Sequence, residues 1–264
     1  MDYTELKYAV EARVATITLD RPERMNAWTP TMEAEFRAAM RAAADDEGVR
    51  AIVVTGAGRA FCAGADMGRL QNASAGGAPS APPPSGDGDF EQRYSWLLAV
   101  PKPTIAAING AVAGVGLCVT LYCDLRFMAA GARLSTSFAR RGLIAEHGSA
   151  WMLPRLIGPM NAADLLLSGR TVDAAEAHAL GLVRELPAEG FLAAVQARAA
   201  EFAALSSPRS MRIVKEQLRR APVESLAQAT RFADAETARC RETEDFREGV
   251  ASFVEKRPPN FTGR

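Results

Sequence analysis

Apolar and polar positions first alternate at Val14–Leu19, where the many β-branched side chains predict a strand. A helix is predicted to begin at Thr29-Pro30, because proline suits a first helical turn and apolar residues follow at helical spacing. Residues 49–55 and 104–108 are short apolar runs typical of buried strands. Strand, helix and strand in succession predict an α/β fold with a parallel sheet and crossover helices.

Residues 71–89 interrupt this pattern with two consecutive glycines and a run of three prolines, and they contain few large apolar side chains. This composition predicts a mobile loop that interrupts the domain without dividing it. From residue 191 onward, amphipathic helical patterns dominate, as over residues 212–219 and 225–241. The sequence therefore predicts a core of residues 1–190 followed by a helical segment, residues 191–264. Such a short helical segment is expected to pack on its own core or on another subunit.

Composition and charge narrow the class of protein. Lys plus Arg and Asp plus Glu both total 31, which predicts neither a nucleic-acid partner nor binding to a membrane surface. An N-terminus with acidic residues and no apolar run predicts no secretory signal, and the absence of any run of about 18 apolar residues predicts no spanning helix. The four cysteines lack CxxC spacing, so we expect free thiols, no metal site and a cytoplasmic protein.

Two glycine-containing turns, at residues 61–67 and 109–116, are candidates for binding an anion. In the first, small side chains let the backbone approach a ligand, and Asp66 could cap a following helix. The second leads into an apolar helix, whose first N–H groups would be free at the positive end of the helix dipole. If the two turns face each other, they form an oxyanion hole for an enolate.

Each turn taken singly also has a plain structural interpretation. The first could be a tight turn, and the second could be an ordinary connection between a strand and a helix. A dinucleotide-binding fold is a third interpretation, but it requires the spacing G-x-G-x-x-G directly after a strand. Gly110, Gly114 and Gly116 do not have that spacing.

Seven motifs in order resemble those of the crotonase superfamily, which contains the enoyl-CoA hydratases and isomerases. They lie at residues 19–27, 61–66, 102–110, 123–124, 153–158, 174–183 and 253–257. The resemblance runs from about residue 10 to residue 264. It implies a ClpP-like spiral of ββα units over residues 1–190 and a helical trimerisation region over residues 191–264. It also implies a homotrimer or a dimer of trimers, and an acyl-CoA substrate that brings its own coenzyme A, with no further cofactor.

The same resemblance assigns candidate site residues. Backbone N–H groups of the oxyanion hole fall on Ala65 and Val115. Contacts to coenzyme A fall on a set of residues around the two glycine turns: Arg24, Ala27, Ala63, Gly64, Asp66, Met67 and Gly114. Lys256 resembles a lysine that in relatives reaches a phosphate of coenzyme A, sometimes across a subunit interface.

This sequence departs from the family members that hydrate with two carboxylates, because the positions of those two acids read Cys118 and Phe138. Phe138 cannot transfer a proton, and Cys118 is expected to be a small buried apolar residue. Glu146 lies in a turn that resembles that of family isomerases, where an acid moves protons between carbons of the acyl chain. We therefore expect Glu146 to be the catalytic base and acid, with a capping carboxylate as the alternative. Cys118, Phe138 and His147 are candidates to line the pocket, and His147 could instead orient Glu146.

These features predict an enzyme that isomerises an acyl-CoA thioester through an oxyanion-stabilised enolate, with Glu146 as a single carboxylate. Two other functions stay open. One is hydration by Glu146 alone, or with a water positioned by Cys118 or His147. The other is a catalytically silent protein that binds acyl-CoA in the same cradle.

Overall fold

The computed structural model describes residues 2–66, 68, 71, 75–76 and 86–264. Its strands are β1 (Leu6–Glu11), β2 (Val14–Leu19), β3 (Ala51–Gly56), β4 (Ala60–Cys62), β5 (Thr104–Ile108), β6 (Ala111–Ala113), β7 (Leu125–Ala129), β8 (Arg133–Ser135), β9 (Thr171–Asp173) and β10 (Arg184–Leu186). Its α-helices are α1 (Pro30–Asp45), α2 (Val115–Leu121), α3 (Ser149–Ile157), α4 (Pro159–Ser168), α5 (Ala174–Ala179), α6 (Phe191–Leu205), α7 (Pro208–Arg220), α8 (Leu226–Arg241) and α9 (Glu244–Glu255).

The larger sheet has the strand order β1-β2-β3-β5-β7-β10 within the described residues. It is parallel from β2 to β10, which confirms the predicted parallel sheet. Every residue of β3 and β5 is buried, because helices cover the sheet: α1 packs against β1 and β2, and α6 packs against β2, β3 and β5. The sequence did not predict β1, an antiparallel edge strand in which most positions are exposed or half-exposed.

The smaller sheet has the order β4-β6-β8-β9 and places the two glycine turns side by side. β4 and β6 are parallel neighbours, with Ala60 opposite Ala111 and Cys62 opposite Val112. Each strand of this sheet has three residues, too few for an alternating pattern to be recognised in the sequence. β5, β6 and α2 follow one another directly, so this part of the chain forms a ββα unit.

Helix α1 confirms the helix predicted from residue 29. Thr29 caps it, since the Thr29 side chain accepts a hydrogen bond from the N–H of Met32 at 3.0 Å, and Pro30 occupies the first turn. The side chains of Met32, Phe36 and Met40 are buried on the face that covers the sheet. Their spacing of four residues keeps them on one side of the helix.

The predicted C-terminal segment packs on the core of its own chain. Phe191 and Val195 of α6 belong to the main apolar cluster, and Lys215 of α7 reaches Asp124 Oδ2 at 2.7 Å. Arg50, at the start of β3, donates to the carbonyls of Ala203, at 3.1 Å, and of Phe261. The helices predicted over residues 212–219 and 225–241 are confirmed as α7 and α8. The boundary after residue 190 stays a prediction.

The loop predicted at residues 71–89 lies mostly outside the described residues. Of that segment the structure describes residues 71, 75–76 and 86–89, and the last of these lead into the cavity described below. None of the helices in the described parts of the chain is long and apolar enough to cross a bilayer.

Candidate functional site

The two glycine turns are in van der Waals contact. A Cβ placed on Gly114 would lie 3.7 Å from the Cα of Gly64, and one placed on Gly64 would lie 3.4 Å from the carbonyl oxygen of Ala113. This proximity follows from the parallel pairing of β4 with β6, since neighbouring parallel strands end at the same edge of a sheet. Ala65 and Val115 each follow one of these glycines, so their backbones leave the same edge of the small sheet.

The N–H groups of Ala65 and Val115 do not donate to any backbone carbonyl in the described residues. Val115 is the first residue of α2, where an N–H has no partner within the helix. Gly114 precedes it with φ 51° and ψ −124°, a backbone conformation that glycine adopts readily and that would be strained in a residue with a side chain. At Gly116, any Cβ would lie 2.6 Å from the carbonyl oxygen of Cys62, so the start of α2 packs directly on the end of β4.

The segment that carries Arg24 and Ala27 runs beside the first glycine turn. The N–H of Ala63 donates to a carbonyl of this segment at 3.0 Å, and the carbonyl of Gly64 accepts from another of its N–H groups at 2.8 Å. Ala27 is half-buried at this junction, whereas Arg24 is exposed at the end of the 3-10 turn Pro22–Arg24. The structure thus brings most of the predicted contacts to coenzyme A to one region.

Asp66 ends the first glycine turn. One oxygen of its carboxylate accepts from the N–H of Gly68 at 3.0 Å, the kind of bond that the predicted cap would make. The other oxygen lies 3.4 Å from the guanidinium of Arg21. Met67 lies outside the described residues. Lys256 is exposed at the end of α9, and the hydrogen bonds and ion pairs of the described residues do not connect it to this site.

Glu146 lies in the turn that packs on the first turn of α2. Its carbonyl accepts from the thiol of Cys118 at 3.7 Å and from the N–H of Ser149 at 3.0 Å. The Glu146 side chain is 37% exposed. Partial burial raises the pKa of its carboxyl above the ordinary value, and the positive charge of Arg93 opposes part of that rise.

His147 follows Glu146 with its Nε2 4.0 Å from the Glu146 Oε2. Burial lowers the pKa of His147 to about 4, and the charge of Arg93 lowers it further against the opposing effect of Glu33. The imidazole is therefore neutral at neutral pH and makes no ion pair with Glu146. The hydroxyl of Tyr122 donates to the His147 carbonyl at 2.6 Å. This bond stabilises the backbone of His147, whose φ is 53°, in the left-handed region.

Cys118 and Phe138, which occupy the positions of the two hydratase acids, are both buried. Burial raises the pKa of the Cys118 thiol to about 12, and the nearby charge of Glu146 contributes to the rise. Cys118 therefore stays a neutral thiol at neutral pH and cannot act as a base there. Phe138 precedes the 3-10 turn Ala139–Arg141, and its carbonyl accepts the N–H groups of Arg141 and Leu143.

A cavity of about 440 Å³ opens beside His147, which lines it, whereas the other two pocket candidates, Cys118 and Phe138, are not among its described lining residues. Tyr94, Tyr122 and Trp151 contribute to its wall. Tyr122 could have been found from its spacing in the sequence. It follows Cys118 by four residues, so at the C-terminal end of α2 its side chain lies on the same face of the helix as that of Cys118. Arg93 also lines the cavity, where its guanidinium binds the carboxylate of Glu33 at 2.8 and 2.5 Å.

Comparison with known proteins identifies close relatives over the whole chain. The sequence profile of one family, described as enoyl-CoA hydratase/isomerase, matches residues 9–264. A Thermus thermophilus protein with the provisional name enoyl-CoA hydratase is 38% identical over 261 residues, 95% of this chain and 98% of the relative. The 1,2-epoxyphenylacetyl-CoA isomerase of Escherichia coli is 32% identical over 259 residues, 97% of each chain.

The fold agrees with this similarity. A solved structure of an enoyl-CoA hydratase from Polaromonas sp. JS666 has a TM-score of 0.88 and 32% sequence identity, and the match covers 97% of this chain and 99% of that chain. The predicted α/β crotonase fold is therefore confirmed. The chain belongs to the enoyl-CoA hydratase/isomerase family of the crotonase superfamily, as its motifs predicted.

Proposed function

We propose that this enzyme isomerises an unsaturated acyl-CoA thioester, with Glu146 as the proton carrier and the N–H groups of Ala65 and Val115 as the oxyanion hole. One observation carries the proposal. The turn that bears Glu146 is bonded to Cys118, one helical turn beyond Val115, so the carboxylate and the free N–H group belong to the same small region.

The chemistry requires little more than these groups. Loss of a proton from C2 of a 3-enoyl thioester leaves negative charge that spreads onto the thioester oxygen. Two N–H donors about 2.7–3.1 Å from that oxygen would stabilise the charge. Glu146 takes the proton at C2 and returns it at C4, so the double bond moves next to the carbonyl and no further reactant is consumed.

The surroundings of Glu146 suit a group that both takes and returns a proton. Partial burial favours its protonated form, while Arg93 favours the charged form, and the two effects oppose each other. A second carboxylate would be expected at Cys118 or Phe138 if water were activated by a pair of acids. The thiol and the phenyl ring at these positions support a reaction with a single carboxylate.

Hydration is the second candidate, and the names of two relatives favour it: the Thermus thermophilus protein and the Polaromonas enzyme are both called enoyl-CoA hydratase. In that reaction Glu146 would activate a water for attack at C3. The name of the Escherichia coli isomerase favours the first candidate. A third outcome, binding without turnover, would indicate a silent acyl-CoA-binding protein.

One pair of substrates separates these functions. We expect trans-3-hexenoyl-CoA to be converted to 2-hexenoyl-CoA of unchanged mass faster than trans-2-hexenoyl-CoA is converted to the 3-hydroxy thioester. Chromatography with mass detection measures both rates. Faster hydration would assign the enzyme to the second candidate. No product from either thioester, with binding retained, would leave the silent protein as the function.

We also propose that the substrate's coenzyme A lies along the segment of Arg24 and Ala27 and the backbone of residues 63–66. The exposed guanidinium of Arg24 is suited to a phosphate, and the small side chains of Ala63 and Gly64 let the ligand approach the backbone. Lys256 would join this site from another subunit, since the described contacts of its own chain do not bring it there.

Assembly into a trimer or a dimer of trimers is supported by apolar side chains that remain exposed on the C-terminal helices. Phe253 is 85% exposed, and Leu218, Leu226 and Val254 are also largely exposed. Light scattering should give a mass of three or six chains at micromolar concentration. Phe253→Glu should reduce that mass, whereas Val10→Glu, on the edge strand β1, should leave it unchanged. A monomeric wild type would contradict the proposal.

A further inference from the structure

The cavity beside His147 is placed to receive the acyl end of the substrate. His147 and Gly148 line it, and Glu146 precedes them in the chain with its carboxylate 4.0 Å from the imidazole. Its volume of about 440 Å³ lies within the range of pockets that bind small molecules. A thioester whose C2 lies at Glu146 could therefore extend its acyl group into this space.

Aromatic side chains form much of the wall of this cavity. Four rings line it, those of Phe90, Tyr94, Tyr122 and Trp151. Among the described lining residues, the larger aliphatic side chains are Leu98 and Val223. A flexible alkyl chain needs no particular orientation of its neighbours, whereas an aromatic ring gains from faces and edges set at defined angles.

The central rings are fixed in place before any ligand binds. The ring of Tyr94 meets the imidazole of His147 edge to face, with centroids 4.9 Å apart and planes at 88°. On its other side Tyr94 packs against Trp28, with centroids 6.0 Å apart and planes at 78°. The hydroxyl of Tyr122 is bonded to the His147 carbonyl. Because these rings are already ordered, a flat ring could bind among them at little cost in conformational entropy.

The other two rings that line the cavity, those of Trp151 and Phe90, each make a cation–π contact with an arginine. The guanidinium of Arg155 lies 3.7 Å from the centroid of Trp151, and that of Arg219 lies 4.6 Å from the centroid of Phe90. These contacts hold both rings at the wall. The charge of Arg93, which faces the cavity, is matched by Glu33, so the cavity does not favour a second carboxylate on the acyl group.

We infer that this cavity binds an aromatic ring at the end of the acyl group, so that the enzyme prefers aryl-substituted acyl-CoA thioesters to linear fatty acyl-CoA thioesters. The inference rests on the proposed function, because it places C2 of the acyl group at Glu146. It specifies the substrate class of that same site.

Binding to the unmodified enzyme tests the inference directly. Phenylacetyl-CoA, cyclohexylacetyl-CoA and octanoyl-CoA have acyl groups with the same number of carbon atoms. Isothermal titration calorimetry should give a Kd for phenylacetyl-CoA about tenfold lower than for either of the others, because two or more ring contacts each contribute. Equal or tighter binding of cyclohexylacetyl-CoA or octanoyl-CoA would overturn the inference.

A set of tryptophan variants locates the preference. Trp151 is 39% exposed, so its replacement is expected to preserve the fold. Trp151→Leu should reduce the preference for phenylacetyl-CoA to about threefold or less, and Trp151→Phe should retain most of it. Trp96→Leu removes a ring that packs on Phe36 outside the cavity, and it should leave the preference unchanged. If the preference for phenylacetyl-CoA survives in Trp151→Leu and is lost in Trp96→Leu, then the ring binds at another surface and not in this cavity.

The binding measurements distinguish this inference from the proposed function. If the enzyme turns over neither hexenoyl thioester nor 6-phenyl-3-hexenoyl-CoA, which carries a terminal ring, but prefers phenylacetyl-CoA, then the proposed isomerisation fails while the aromatic site stands. If it isomerises hexenoyl-CoA and binds the three saturated thioesters equally, then the proposed function stands and the aromatic site is wrong.

Discussion

Glu146→Gln should lower turnover by about 10²–10⁴-fold on any thioester that the wild-type enzyme converts. Glutamine keeps the shape and the hydrogen-bonding capacity of the side chain but cannot accept the proton from C2. Binding of a saturated acyl-CoA should be retained, because the backbone contacts of the two glycine turns are unchanged. Steady-state kinetics and calorimetry measure the two effects separately. Glu189→Gln, at an exposed carboxylate, is the matched control.

The pH dependence of the same variant separates a catalytic carboxylate from a structural one. The pKa of Glu146 is raised in the folded protein, so its protonated form stabilises the fold at low pH. That contribution is lost as the pH rises through the folded pKa. Glu146→Gln, which is neutral at every pH, should therefore have a Tm at neutral pH that is no lower than that of the wild type.

A capping carboxylate would give the opposite result. Loss of the cap would lower the Tm of Glu146→Gln while turnover per folded molecule stayed nearly intact.

In the wild type, activity should fall as the pH drops through the folded pKa of Glu146, above the usual value of 4.5 for a glutamate. An acid limb that persists unchanged in a partly active Glu146→Gln enzyme would assign the titration to another group.

Val115→Pro should lower turnover by about 10²–10³-fold, the effect of removing one donor from an oxyanion hole. The change deletes the N–H of Val115 and alters its buried side chain, while the helix is expected to form because proline is well tolerated at its first position. Val115→Ala is the matched control, because it also shortens the buried side chain but keeps the N–H. We expect the alanine variant to retain most of the activity.

Circular dichroism and the Tm establish whether both Val115 variants are folded before their rates are compared. If the folded proline and alanine variants have equal turnover, then the N–H of Val115 does not hold the oxyanion. A loss of turnover in both, in proportion to a loss of Tm, would indicate that packing of the Val115 side chain against the core matters and the donor does not.

The parts of the fold that were predicted correctly are those whose residues repeat over several turns or strand positions. β2 was predicted because apolar and polar residues alternate over Val14–Leu19 and many of them are β-branched, and α1 because its apolar residues recur every four positions. β4 and β6 were missed because three residues cannot define a period. Their pairing is nevertheless what brings the two predicted turns together.

The candidate site shows the same limit. The glycine turns and Glu146 could be found because each lies in a local motif of the sequence. The pair of Glu33 with Arg93 joins residues 60 positions apart, and no local pattern marks either partner. The cavity combines Tyr94, Tyr122 and Trp151 from three separate segments, so its aromatic character exists only after the chain has folded.

The bonds from Arg50 to Ala203 and Phe261 have a consequence for the order of events during synthesis. The two partners lie 153 and 211 positions further along the chain. A ribosome makes the start of β3 long before it makes either carbonyl, and contacts between such distant positions are slow to form. Until then the guanidinium of Arg50 must stay hydrated. The nascent chain therefore cannot complete the packing around the start of β3 while it is being synthesised. The contacts of Arg50 can therefore be completed only after Phe261 has been synthesised.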